Sequence, residues 1–225
     1  MSTTFSRQVD EIHLSLVINA GVVGLGFAGE IHVRAIRAAG GIVTAIAAKN
    51  IEEAQIAAAK LEVSKAVTIE EMVNDPDIDV IHICTPNIFH AQIAEMAIRA
   101  GKHVVCEKPL AVSVEQAHFL TQLAAEYDVI ATIPFIYRYY PSVRESRSRI
   151  AALKEPLNML HGYYLQDWLS RETTVNWRID PELGGPSRAF GDIGVHWCDL
   201  LEFVTGHRIT HISAQLMKVF NTRGD

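Results

Sequence analysis

Gly24-Leu25-Gly26-Phe27-Ala28-Gly29 is the segment that most restricts what this chain can fold into. It closes a β-rich run at residues 14–23 and opens a stretch, residues 30–39, whose apolar positions recur at helical spacing. A Gly-x-Gly-x-x-Gly turn found by itself is weak evidence. Between a strand and a helix it acquires a mechanical reading. Gly24 permits the tight turn, Gly26 lets the backbone approach a pyrophosphate, and Gly29 lets the helix pack closely on the strand. Phe27 and Ala28 lie within the same turn. The phosphates of a dinucleotide would then sit at the helix N-terminus, where free N–H groups and the helix dipole favour anions.

The rest of the first half repeats the strand–helix alternation. Strands are expected at Ile42–Ala47, near 66–67, and at 78–84, His103–Cys106 and 129–134. Helices are expected at 52–61, Ile69–Asn74, 88–100 and 113–127. Strands alternating with helices imply right-handed crossovers and a parallel doubly wound sheet. The pattern changes near Phe135. A helix is expected at 141–153, long alternating strands at 157–168 and 209–220, a polar loop at 171–188, and a helix at 192–204 stopped by Gly206. The fold class is therefore α/β, a Rossmann sheet over residues 1–135 followed by an incomplete α/β open-sheet domain over 136–225.

Composition excludes several partners. The chain of 225 residues carries a net charge of −6 and no basic cluster, which argues against nucleic acid. No apolar run approaches the ~20 residues that a membrane span needs. Residues 1–13 are polar and lack a hydrophobic signal core, so a cytoplasmic protein is expected. Cys84, Cys106 and Cys198 form no Cys-x-x-Cys pair and read as reduced thiols.

Four further elements follow the glycine turn in order. They are Thr85-Pro86-Asn87 with His90, Glu107-Lys108-Pro109, Arg138 followed by Pro141, and Asp192-Ile193-Gly194-Val195-His196-Trp197-Cys198-Asp199. Together they resemble the glucose–fructose oxidoreductase / inositol dehydrogenase family (Gfo/Idh/MocA) over about residues 17–220. The resemblance implies an NAD(P)-dependent oxidoreductase that moves a hydride between a nicotinamide and a sugar- or polyol-like alcohol or carbonyl. Two alternatives stay open: a redox-assisted glycosidase with tightly bound nicotinamide, and a catalytically silent nucleotide-binding protein.

The resemblance also implies roles. Lys108 points at the substrate hydroxyl, with Glu107 beside it near the cofactor and available to pair with it. Thr85, Pro86, Asn87 and His90 face the nicotinamide half. Oxidation needs a base for the alcohol proton, and His196, with an ordinary pKa of about 6.5, suits that work. Asp192 lies four residues earlier, on the same helical face, and would orient the imidazole or contact a second hydroxyl. Gly194 would let substrate or backbone come close. Arg138, Gln166, Trp177 and Arg178 are candidate substrate contacts, and no metal ligands are assigned. The family assembles through its C-terminal sheet, so a homo-oligomer is expected.

Cofactor choice turns on the end of the second strand. An acidic residue about 20 positions after the turn would bind the ribose hydroxyls of NAD. Here stand Ala48-Lys49-Asn50, with no carboxylate. Ala48 leaves room and Lys49 supplies positive charge, so the reading leans to NADP(H). The alternative reading is a solvated Lys49, with Asn50 the cap of the next helix.

Overall fold

The computed structural model describes residues 17–223. Residues 14–16 of the expected first strand, and the polar segment 1–13, lie outside the described residues. The chain divides into two compact units, one ending at Ile133 and the other beginning at Pro134.

The first unit is built on six parallel strands: β1 (Asn19–Val23), β2 (Ile42–Ala47), β3 (Lys65–Ala66), β4 (Val80–Ile83), β5 (His103–Cys106) and β6 (Ala131–Thr132). Their order across the sheet is β3-β2-β1-β4-β5-β6. The strands are connected through α1 (Phe27–Ala38), α2 (Ile51–Leu61), α3 (Ile69–Asn74), α4 (His90–Arg99) and α5 (Val114–Glu126). Local chemistry sets several helix starts. Asn50 accepts the Glu53 N–H, Thr68 and Glu71 form a reciprocal capping box, and Ser113 accepts the Gln116 N–H.

The sheet is covered on both faces. Val33 and Ile36 of α1 and Ala54, Ala58 and Leu61 of α2 pack on one side with Val22, Val43 and Val80. Met72, Ile93, Ala97, Leu120 and Leu123 pack on the other with Ile81, Ile83 and Val104. Ile46, Ile81 and Ile83 are completely buried, and each such side chain is worth about 1.5–3 kcal/mol of transfer free energy. The strand order reverses between β1 and β4, so crossovers from these two neighbours run to opposite faces and leave a crevice at their carboxyl ends.

The second unit contains α6 (Pro141–Ala151), a 3-10 turn at Trp177–Ile179, the short α7 (Pro181–Gly184), a π-turn at Phe190–Gly194, and α8 (Val195–Thr205). Gly206, at φ +74°, ends α8 in the left-handed conformation, as expected. The two long strands expected at 157–168 and 209–220 do not form: among the described residues of this unit there is no strand. Alternation marks which side chains share a face, but a strand exists only when its backbone groups have a neighbour to bond, and neither run pairs with another. Their apolar side chains stay open to solvent, with Leu165 78%, Leu216 90% and Val219 77% exposed. No helix among the described residues is long and apolar enough to cross a membrane.

Candidate active site

The glycine turn sits at the crevice, and its three glycines answer to different demands. Gly24 has φ +87°, and a Cβ there would lie 2.7 Å from the Cys84 carbonyl and 2.8 Å from Thr85 N. A Cβ on Gly29 would lie 2.0 Å from the Gly24 carbonyl oxygen. Both are glycine because the fold leaves no room. Gly26 is different. Its φ of −72° suits any residue, and a Cβ would meet nothing within 4 Å. It starts α1 with no side-chain cap, and Phe27 beside it is 84% exposed. Ala28 is half-buried.

Lys49 follows β2 and is exposed, and Asn50 spends its side chain on capping α2, accepting from Glu53 N at 2.8 Å. Past β4, the Thr85 hydroxyl oxygen is buried and has no hydrogen-bond partner among the described residues. Pro86 leads into a 3-10 turn at Asn87–Phe89, and Asn87 is buried. His90 does not present its ring to the crevice. It is 1% exposed, with Nδ1 2.7 Å from the Pro109 carbonyl and Nε2 2.9 Å from the Thr85 carbonyl. It ties together the loops that follow β4 and β5. Burial lowers its pKa, outweighing the two carbonyls, which favour the protonated ring.

Lys108 follows β5 and is half-buried. The Glu107 carboxylate accepts the Lys108 backbone N–H at 3.1 Å and contacts His32 Nε2 at 3.2 Å. Burial acts to raise the Glu107 pKa, but the His32 and Lys108 interactions outweigh it and the net shift is downward. His32 also meets His82, Nδ1 to Nδ1, at 2.9 Å. Sequence reasoning missed both histidines. The available signal was His82 standing inside the apolar run Val80-Ile81-His82-Ile83.

In the second unit, Asp192 belongs to the π-turn rather than capping a helix, since α8 begins only at Val195. A π-turn winds more loosely than an α-helix, so the four-residue spacing to His196 no longer guarantees one face. Arg178 Nε donates to Asp192 Oδ1 at 3.1 Å, and the Arg178 guanidinium lies 4.3 Å over the Trp177 ring. Gln166, Arg178 and Asp192 line a common cavity of about 390 Å³. Gln166 accepts from Trp168 Nε1 at 2.7 Å and donates to the Tyr164 hydroxyl at 3.0 Å.

His196 is ringed edge-on by Tyr137, Phe135 and Tyr164, with centroids at 5.0, 6.1 and 6.2 Å. Burial, with the hydrogen bond to Tyr164, raises the Tyr137 pKa to about 12. The space at Gly194 is taken by the Phe190 ring, which a Cβ would approach to 2.6 Å, so this glycine serves internal packing. Arg138 is held in an ion pair with Asp199. No group of three His, Cys, Asp or Glu suited to a metal occurs among the described residues.

Residues 18–135 match the family described as "Oxidoreductase family, NAD-binding Rossmann fold", and residues 156–225 match the GFO/IDH/MocA C-terminal domain. The chain belongs to the Gfo/Idh/MocA oxidoreductase family. Within it, this Gfo/Idh/MocA chain is 33% identical over 202 residues to levoglucosan dehydrogenase of Pseudarthrobacter phenanthrenivorans, covering 84% of this chain and 51% of that protein. It is 36% identical over 191 residues to 1,5-anhydro-D-fructose reductase of Ensifer adhaerens, covering 82% and 55%. A solved levoglucosan dehydrogenase in complex with NADH and levoglucosan matches with a TM-score of 0.77 at 31% identity, over 84% of this chain and 54% of that one. The chain thus spans about half the length of the curated relatives it matches.

Proposed function

We propose that this chain binds a nicotinamide dinucleotide at the glycine turn and serves the oxidation or reduction of CH–OH groups on a sugar- or polyol-like substrate. Gly26 carries this reading. Neither the backbone conformation nor the atoms of the described residues call for glycine there, and the bare backbone leaves open space at the start of α1. A pyrophosphate against that uncapped first turn fits the space. The Thr85 hydroxyl, without a partner among the described residues, and the exposed Phe27 ring, at the same end of the sheet, fit the rest of such a ligand. The relatives' names and the NADH complex point the same way.

A bound nicotinamide would supply the hydride acceptor or donor. In the oxidative direction the Lys108 ammonium holds the substrate oxygen, and an imidazole nitrogen of His196 takes the alcohol proton. Asp192, with Arg178 and Gln166, contacts further hydroxyls. Lys49 favours the 2′-phosphate of NADP(H). Free thiols at Cys84, Cys106 and Cys198 accord with a reducing cytoplasm, a location that fractionation would check.

The exposed apolar side chains of residues 209–220 favour self-association. A monodisperse monomer in light scattering at micromolar concentration would remove that part of the reading. The dinucleotide site is tested by calorimetry with NADPH and NADH on wild type and Gly26→Val. We expect at least about ten-fold weaker binding, roughly 1.4 kcal/mol, with unchanged thermal unfolding. Equal affinity in the two proteins would remove the assignment.

A further inference from the structure

His82 lies on the face of β4 shared by Val80 and Cys84, and α1 lays His32 over that face. The two rings stand nearly perpendicular, at 84°, with centroids 5.1 Å apart. His32 Nε2 reaches Glu107 Oε1 at 3.2 Å, and Glu107 Oε2 accepts the Lys108 N–H at 3.1 Å. The contacts form one continuous chain. An ionised carboxylate only accepts, so His32 Nε2 must carry a proton and donate it. The His32 Nδ1 to His82 Nδ1 contact then places one proton between the two rings, one nitrogen donating and the other accepting. This leaves each bond in the chain with one donor and one acceptor.

The geometry points to His32, itself fixed by His82, as a positioning residue that sets the main chain at Lys108 through the Glu107 carboxylate. Side chains buried in this way could be replaced by apolar ones that need no hydrogen-bond partners. What an apolar pair could not do is hold a carboxylate in one orientation against a backbone N–H just outside the end of β5. Without His32, Glu107 keeps its bond to Lys108 N–H only as one of several rotamers. With it, the backbone from which the lysine side chain springs is defined before any substrate arrives. The link also joins α1, which begins at the glycine turn, to the lysine loop, two segments far apart in sequence. The consequence for catalysis rests on the role proposed above for Lys108; the positioning itself does not.

Two measurements on the full chain without added nucleotide test this. The first is residue-resolved amide hydrogen exchange. In His32→Leu the Lys108 amide should exchange about ten-fold faster, as expected for loss of one hydrogen bond, while the amides of Val104 and Cys106 in β5 keep their wild-type rates. In His32→Gln, whose terminal amide can donate where Nε2 did, Lys108 should return close to its wild-type rate. An unchanged Lys108 rate in His32→Leu would overturn the proposal. So would a parallel rise at Val104 and Cys106, or a Gln variant no better than Leu.

The second is the nitrogen-15 spectrum of the histidine rings. His32 should carry a proton on Nε2, and a bare Nε2 would overturn the proposal. Failure of the wild-type protein to bind NADH or NADPH would sink the proposed function instead, and these two results would still decide the network.

Discussion

Arg138 donates through Nε to both carboxylate oxygens of Asp199, at 3.0 and 2.9 Å, and its Nη2 closes the fork on Oδ1. The guanidinium also lies over Phe135 and Phe203, at 5.4 and 5.3 Å. A fork-to-fork pair of this kind is geometrically specific, and the Asp199 side chain is only 9% exposed. The residue read from the sequence as a substrate contact is thus engaged in holding the second unit together. Arg138→Ala should cost about 1–3 kcal/mol by stranding the Asp199 carboxylate. Urea unfolding would show it, with nucleotide affinity unchanged. Full stability together with weakened sugar binding would return Arg138 to the substrate site.

Lys49 is solvent-exposed beyond β2, and its neighbour Asn50 is committed to the α2 cap. A charged hydrogen bond to a 2′-phosphate is worth about 1.5–3 kcal/mol. Lys49→Ala should therefore weaken NADPH by about ten-fold or more and leave NADH almost untouched, as read by titration of cofactor fluorescence. Tighter NADH than NADPH binding by the unaltered protein would refute the preference.

Lys108→Ala and His196→Ala should each lower kcat by about 10²–10⁴-fold, the range for general acid–base groups. Neither is needed for the pyrophosphate, so both variants should still bind NADPH. Levoglucosan and 1,5-anhydro-D-fructose, the compounds named with its relatives, are the first substrates to try. Full turnover in either variant would show the role to be misassigned.

His82 gives the fold an acid-sensitive element. Burial, with the nearby His32, lowers its pKa from 6.5 to about 4. The folded state therefore resists protonation that the unfolded chain accepts. The sign follows: stability is full above about pH 6.5, declines as pH falls toward 4, and levels off below. At about 1.4 kcal/mol per pKa unit the whole decline is on the order of 3 kcal/mol. His82→Asn keeps an N–H near the position of Nδ1 but has nothing to titrate. Urea unfolding at several pH values should show a shallower acid slope for the variant. An identical slope would place the acid sensitivity elsewhere.

What could be read from the residues was what local chemistry decides. The helix at Ile69–Asn74 was legible because Thr68 and Glu71 cap it reciprocally and Asp75-Pro76 follows. Ile42–Ala47 was legible because a buried parallel strand needs an apolar run of that length. Most of the failures involve distance. Whether 157–168 becomes a strand depends on a neighbour that its own alternation cannot specify. His82 and Glu107 meet His32 across 50 and 75 positions, and no short motif encodes either contact. Gly194 looked like an opening for substrate because a glycine in sequence does not say which atoms use the space it leaves; here it is the Phe190 ring.

The reversal of strand order between β1 and β4 has a consequence for fragments. Gly24 and Thr85 border the same crevice, within 3 Å of each other once a Cβ is imagined on the glycine, yet β2, β3, β4 and three helices separate them along the chain. A peptide ending before β4 would contain the whole Gly-x-Gly-x-x-Gly signature and still have only one wall of the cleft. The fingerprint is therefore a local text, while the cleft belongs to the assembled sheet.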